Sequence, residues 1–109
     1  MAAAQKVKQV VAACLTWKVR HKKGLKKDGE LLDGLCVPNR QEIIIRAELL
    51  DRVDGYRTTL LHEFWHATLR HSQEYFNEPL IAILEVRLDE FLKNNPDIMR
   101  LYGYEQQRD

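Results

Sequence analysis

No stretch of the chain stays apolar for anything near the roughly 18 residues that a membrane-spanning helix requires, so no spanning segment and no membrane partner are expected. Residues 1–11 are rich in alanine but interrupted by Gln5, Lys6, Lys8 and Gln9, and they lack the continuous apolar centre of a secretory signal. The expected location is therefore cytoplasmic. Only two cysteines are present, Cys14 and Cys36, both in apolar stretches; they are expected as buried, reduced thiols and not as a disulfide or a metal pair. Charge of one sign is also lacking: the formal net charge is +1, so the overall balance calls for no polyanionic partner. The basic cluster over residues 20–27 has no interleaved aromatic residues and is expected as a solvated hairpin loop, with no nucleic-acid partner. Repeats and low-complexity linkers are missing too, so nothing marks an internal boundary. With 109 residues, 45% hydrophobic and 30% charged, the chain suits one domain over 1–109, with 97–109 as a C-terminal tail.

What is there is periodic. Val7, Val10, Val11 and Cys14 recur at helical spacing, which predicts an amphipathic helix over residues 3–14. Residues 15–20 alternate apolar and polar side chains, the pattern of a half-buried strand. A basic turn with two glycines follows over 21–29, then strands over 31–37 and 42–46, separated by a turn at 38–41. The β-branched run Ile43-Ile44-Ile45 predicts burial on both faces of its strand. Residues 47–56 read as a connection, and helical spacing returns over 57–71. Asn77-Glu78-Pro79 starts another helix, which Asn94-Asn95-Pro96 stops. A short helix containing Ile98, Met99 and Leu101 is expected to open the tail. The expected class is α+β: an N-terminal backing helix, a small three-stranded sheet and two further helices packed on it.

The chemistry lies in His62-Glu63-Phe64-Trp65-His66. Side chains four apart on a helix share one face, with Cβ atoms roughly 5–6 Å apart, so two imidazoles at this spacing can hold one metal ion. Glu63, beside the same face, is placed to act as general base on a metal-activated water. A hydrolytic site needs a third protein ligand and an open position. Glu85 is the candidate, because the eighteen residues after His66 suffice to end one helix, turn and run back along a second. Asp89, one turn on, is the candidate to take the other ring N–H of a ligating histidine. Glu78, a heptad before Glu85, is the rival ligand, with a helix-start role as its alternative. His21 and His71 receive no metal role. Tyr102 and Tyr104 are candidates to stabilise an oxyanion, the alternative being simple packing of the tail.

His62-Glu63-Phe64-Trp65-His66 followed by Glu85-Val86-Arg87-Leu88-Asp89 resembles the signature of the gluzincin zinc metallopeptidases, and the size and element order resemble the minigluzincins. The stretch 60–67 is also similar to the compact phage and mobile-element peptidases of the ImmA/IrrE type. The resemblance implies a minimal zincin fold with an active-site helix and a glutamate helix. It further implies a zinc cofactor, endopeptidase activity on a peptide or protein substrate, and an edge strand that aligns that substrate. It also implies an oxyanion-stabilising Tyr or His in a C-terminal subdomain, of which little is left here. The apolar Ile98, Met99 and Leu101 and the carboxylates Asp97, Glu105 and Asp109 suit a tail that lies in or near the cleft and makes the enzyme latent, the equal alternative being a tail that packs on the back of the sheet or frays. The competing reading is a zinc-stabilised binding or regulatory module without catalysis.

Overall fold

Alternation along residues 15–22 builds the strand around which the sheet forms. In the structure, a computed structural model that describes residues 3–104, strand β2 (Leu15–Lys22) buries Trp17 and Val19 on one face and leaves Thr16, Lys18, Arg20 and Lys22 in solvent. Strand β6 (Glu42–Arg46) pairs with it in parallel, and Ile43, Ile44 and Ile45 are all buried, as the β-branched run predicts. Strand β1 (Gln9–Ala12) adds antiparallel to β2, and strand β5 (Gly34–Val37) adds antiparallel to β6. The result is a mixed four-stranded sheet of order β1-β2-β6-β5, with β5 at one edge. Strands β3 (Lys26–Lys27) and β4 (Glu30–Leu31) form a separate two-stranded hairpin in the basic stretch.

Three helices follow among the described residues, and the fold is α+β. Helix α1 (Val53–Thr68) packs on the sheet and adds Tyr56 and Ala67 to a core made with Ala12, Trp17, Val19, Cys36, Ile43 and Ile45. Helix α2 (Glu78–Asn94) starts where expected: the Asn77 side chain accepts from the Leu80 N–H at 3.1 Å, and Pro79 sits in the first turn. Its less exposed stripe is Ile81, Leu84, Glu85, Leu88 and Asp89, with Ile81 alone wholly buried. Arg57 on α1 donates to Asp89 on α2 at 2.6 Å and fixes how the two helices lie together. Helix α3 (Pro96–Leu101) begins directly after Asn95. No helix among the described residues is long and apolar enough to cross a membrane.

Several expected elements are corrected. Residues 3–14 form no helix; β1 and a hairpin occupy their second half. Tertiary bonding outweighs the local helical spacing: the Ala4 N–H donates to the Leu50 carbonyl at 2.7 Å, and the Val7 N–H donates to the Tyr56 hydroxyl at 2.9 Å. The hairpin turns at Ala13 and Cys14, both at positive φ (51° and 64°), so Cys14 is exposed at a turn rather than buried. Cys36 is buried as expected. The main sheet therefore has four strands, not three. Helix α1 begins a turn earlier than expected, after a 3-10 turn at Ala47–Asp51, and it ends at Thr68, leaving His71 exposed beyond it.

Tyr56 ties the N-terminal segment to α1. Its hydroxyl accepts from the Val7 N–H and meets Nε2 of His21 at 2.8 Å. Burial, with help from Lys6, lowers the His21 pKa and favours the neutral ring in this contact. Tyr56→Phe leaves the Val7 N–H without its acceptor, and we expect a loss of about 1–3 kcal/mol. Urea unfolding checks the magnitude. Amide exchange checks the cause: Val7 should exchange faster, and the amides of β6 should slow or quicken only with global stability.

Candidate metal centre

The antiparallel packing of α1 and α2 decides which side chains meet. The chain between them, residues 69–77, doubles back through a 3-10 turn at Gln73–Phe76, where the Ser72 side chain accepts from the Glu74 N–H. Helix α2 therefore starts level with the end of α1. Its first residue, Glu78, stands opposite His66; Glu85, two turns on, stands opposite His62; Asp89 stands opposite Arg57.

The distances sort the roles. Nε2 of His66 lies 2.9 Å from Oε1 of Glu78, and Nε2 of His62 lies 2.9 Å from Oε2 of the same carboxylate. The two rings sit edge to face, 5.0 Å between centroids. His62, His66 and Glu78 thus form a group that could hold a metal ion. The opposite ring nitrogens are engaged elsewhere. Nδ1 of His62 meets Oε1 of Glu85 at 2.8 Å, and Nδ1 of His66 meets the Tyr75 carbonyl at 2.9 Å. The expected placements of the two acidic residues on α2 are therefore revised. Glu85 stands behind His62, in the position foreseen for Asp89, and Glu78 faces both Nε2 atoms, in the position foreseen for Glu85. Asp89 accepts from Arg57 and pairs with Lys93 at 3.2 Å; these partners hold its carboxyl below the usual range against the opposing effect of burial.

This donor set fits a cation on chemical grounds. A carbonyl oxygen only accepts, so Nδ1 of His66 carries a proton, and a neutral ring then offers a lone pair at Nε2. That lone pair faces a carboxylate oxygen, and the same arrangement holds at His62 when Glu85 takes the Nδ1 proton. Acceptors would oppose acceptors at 2.9 Å unless extra protons or one cation lie between them.

Glu63 is buried beside this group. Burial pushes its carboxyl up to about 7; the charge of His62 works against this, and those of Glu78 and Glu85 add to it. For His62, burial opposes the charged form, but the hydrogen bond to Glu85 and the charges of Glu63, Glu78 and Glu85 outweigh it and raise the pKa. The motif opens on a cleft of about 600 Å³ bounded by β5 on one side and the start of α2 on the other. Tyr75 and Cys36, neither singled out by the sequence, also line it. Burial pushes the Cys36 thiol up to about 11, with the neighbouring Tyr75 drawing it down. The hydrogen bond from His66 to a backbone carbonyl leaves no trace in a sequence, because any residue has one.

Tyr102 and Tyr104 do not line the cleft. Both are exposed and follow α3, at the end of α2 remote from Glu78, about 25 Å of helix away. Asp97 pairs with Arg100 there. Glu105 and Asp109 lie outside the described residues.

The burial of Glu63 should be readable in the metal-free protein. Its carboxyl ionises near 4.5 in the unfolded chain and near 7 in the folded one, so between these values the folded state holds more protons and stability falls as pH rises. His62 acts in the same sense. The contribution of Glu63 is up to about 3 kcal/mol. Without metal, Glu63→Gln should therefore match the wild type near pH 4.5 and exceed it at pH 8, as urea unfolding in chelator would measure. A wild type that gained stability on the variant over this range would mean that Glu63 is already ionised in the fold.

No family model, no curated protein and no solved structure matches the chain.

Proposed function

We propose that this protein is a zinc-dependent endopeptidase of minimal zincin architecture, with His62, His66 and Glu78 as metal ligands and Glu63 as general base. The observation that carries the reading is the convergence of two imidazole Nε2 atoms on one carboxylate, each at 2.9 Å, with both Nδ1 atoms engaged from behind. Two imidazoles and a carboxylate are a donor set that zinc favours, and three protein ligands leave a position open for chemistry. Zinc, when bound, supplies Lewis acidity and brings the pKa of a water towards about 7.

The chain's own residues supply the rest. Glu85 and the Tyr75 carbonyl fix the tautomers of the two histidines. Glu63 accepts a proton from the attacking water and returns it to the leaving amine, and its burial favours a basicity suited to both steps. Strand β5 supports the peptide. The Arg46 N–H donates to the Asp33 carbonyl at 2.8 Å, and antiparallel bonding alternates, so Leu35 and Val37 bond to β6 while Gly34 and Cys36 turn their backbone groups to the open edge. An extended substrate can add there as a further strand, along the cleft that holds the histidines.

Metal analysis and peptide cleavage test the reading together. Glu78→Ala should lose zinc. Glu85→Ala should keep it with affinity weakened about 10–100-fold. Glu63→Gln should bind zinc fully and cleave nothing. Zinc lost from Glu85→Ala but held at full affinity by Glu78→Ala would return the ligand role to Glu85. Cleavage by Glu63→Gln at the wild-type rate would remove the base.

A further inference from the structure

Gly34 stands where a glycine is not needed for its backbone. Gly24 and Gly29 have φ of +60° and +81°, and a Cβ on either would meet nothing within 4 Å; they serve turns. Gly34 lies in β5 without such a φ, and a Cβ there would stand 2.9 Å from Cγ2 of Thr59, 3.0 Å from Cγ of Glu63 and 3.1 Å from Oε2 of Glu63. Space, not conformational freedom, requires the glycine.

We propose that Gly34 is a positioning residue for the reaction: the missing Cβ lets the edge strand lie directly against Glu63 and sets the depth at which its carboxylate stands in the cleft. The proposal rests on the reading of Glu63 as the base. The strand itself has little room to move. It is paired to β6 from Gly34 to Val37, and its next inward side chain, Cys36, belongs to the buried core against which Tyr75 packs. Tyr75 in turn holds His66 through its carbonyl. An added methyl would meet Cγ2 of Thr59 and both Cγ and Oε2 of Glu63, so the Glu63 side chain has to turn away for it to fit. A side-chain rotation costs less than a shift of the paired strand, but a base displaced by about 1 Å can lose on the order of 100-fold in rate. Folding and turnover should therefore part company at this position, which they would not do if the glycine served packing alone.

The experiment compares zinc-loaded wild type, Gly34→Ala, Gly34→Ala with Thr59→Ser, and Glu63→Gln on a set of internally quenched peptides, alongside zinc affinity, thermal melting and crystal structures. For Gly34→Ala we expect zinc affinity within about 3-fold of wild type, kcat lower by about 100-fold and KM little changed. Adding Thr59→Ser removes the nearest methyl and should restore any lost melting temperature without restoring kcat. In the crystal, the Glu63 carboxylate should be displaced away from β5 while His62, His66 and Glu78 stay in place. An unmoved carboxylate, an undiminished kcat, or recovery of kcat by Thr59→Ser would each overturn the proposal. If the wild type binds zinc but cleaves none of the peptides, the peptidase reading fails on that result, and the crystal comparison still decides whether Gly34 positions Glu63.

Discussion

Two imidazole nitrogens aimed at the two oxygens of one carboxylate form the contact on which the rest of this structure depends. It requires α2 to start level with the end of α1, hence a connection that reverses within residues 69–77 and an N-cap at Asn77 immediately before the carboxylate. It requires the two helices to run antiparallel in one fixed register, which the Arg57–Asp89 pair secures at their other end. It also orders what stands behind it: Glu85 against one ring and the Tyr75 carbonyl against the other. Geometry of this kind calls for positive charge between the rings and the carboxylate, as protons on the imidazoles or as one cation, because acceptors otherwise face each other.

The same site works against the stability of the fold. A carboxyl group is buried at Glu63, and it lies against an edge strand that carries only a glycine at that point. Local arrangements that reduce stability while serving no packing purpose are characteristic of functional sites. The core compensates at a distance, through Trp17, Ile43 and Ile45, none of which reaches the cleft lining.

Where periodicity and chemistry agree, the fold was legible: β2 from its alternation, β6 from its isoleucines, and the start of α2 from Asn77 and Pro79. The N-terminal hairpin was not, because Ala13-Cys14 carries neither the glycine nor the asparagine that usually announces a turn with positive φ, while the valines around it fall at helical spacing. The pair His62 and His66 was legible from spacing alone. The order of the carboxylates along α2 was not. Glu78 and Glu85 lie on one stripe a heptad apart, and what separates them is the register against α1, set by a nine-residue connection whose tight course depends on a Ser72 cap and a short 3-10 turn. Tyr75 was hidden for another reason, since its part is played by a backbone carbonyl as much as by its ring.

Helix α2 is anchored thinly. Ile81 is its one wholly buried side chain, whereas Ile83 and Val86 stand in solvent. The sheet and α1 share a core of eight buried residues in which α2 has no member. Helix α2 packs chiefly on α1 and outside that core, so its local opening is expected to cost less than unfolding of the unit formed by the sheet and α1. An ion gripped by His62, His66 and Glu78 would act as a latch between these units, and its apparent affinity would be the intrinsic one reduced by the fraction of time the helix stands open.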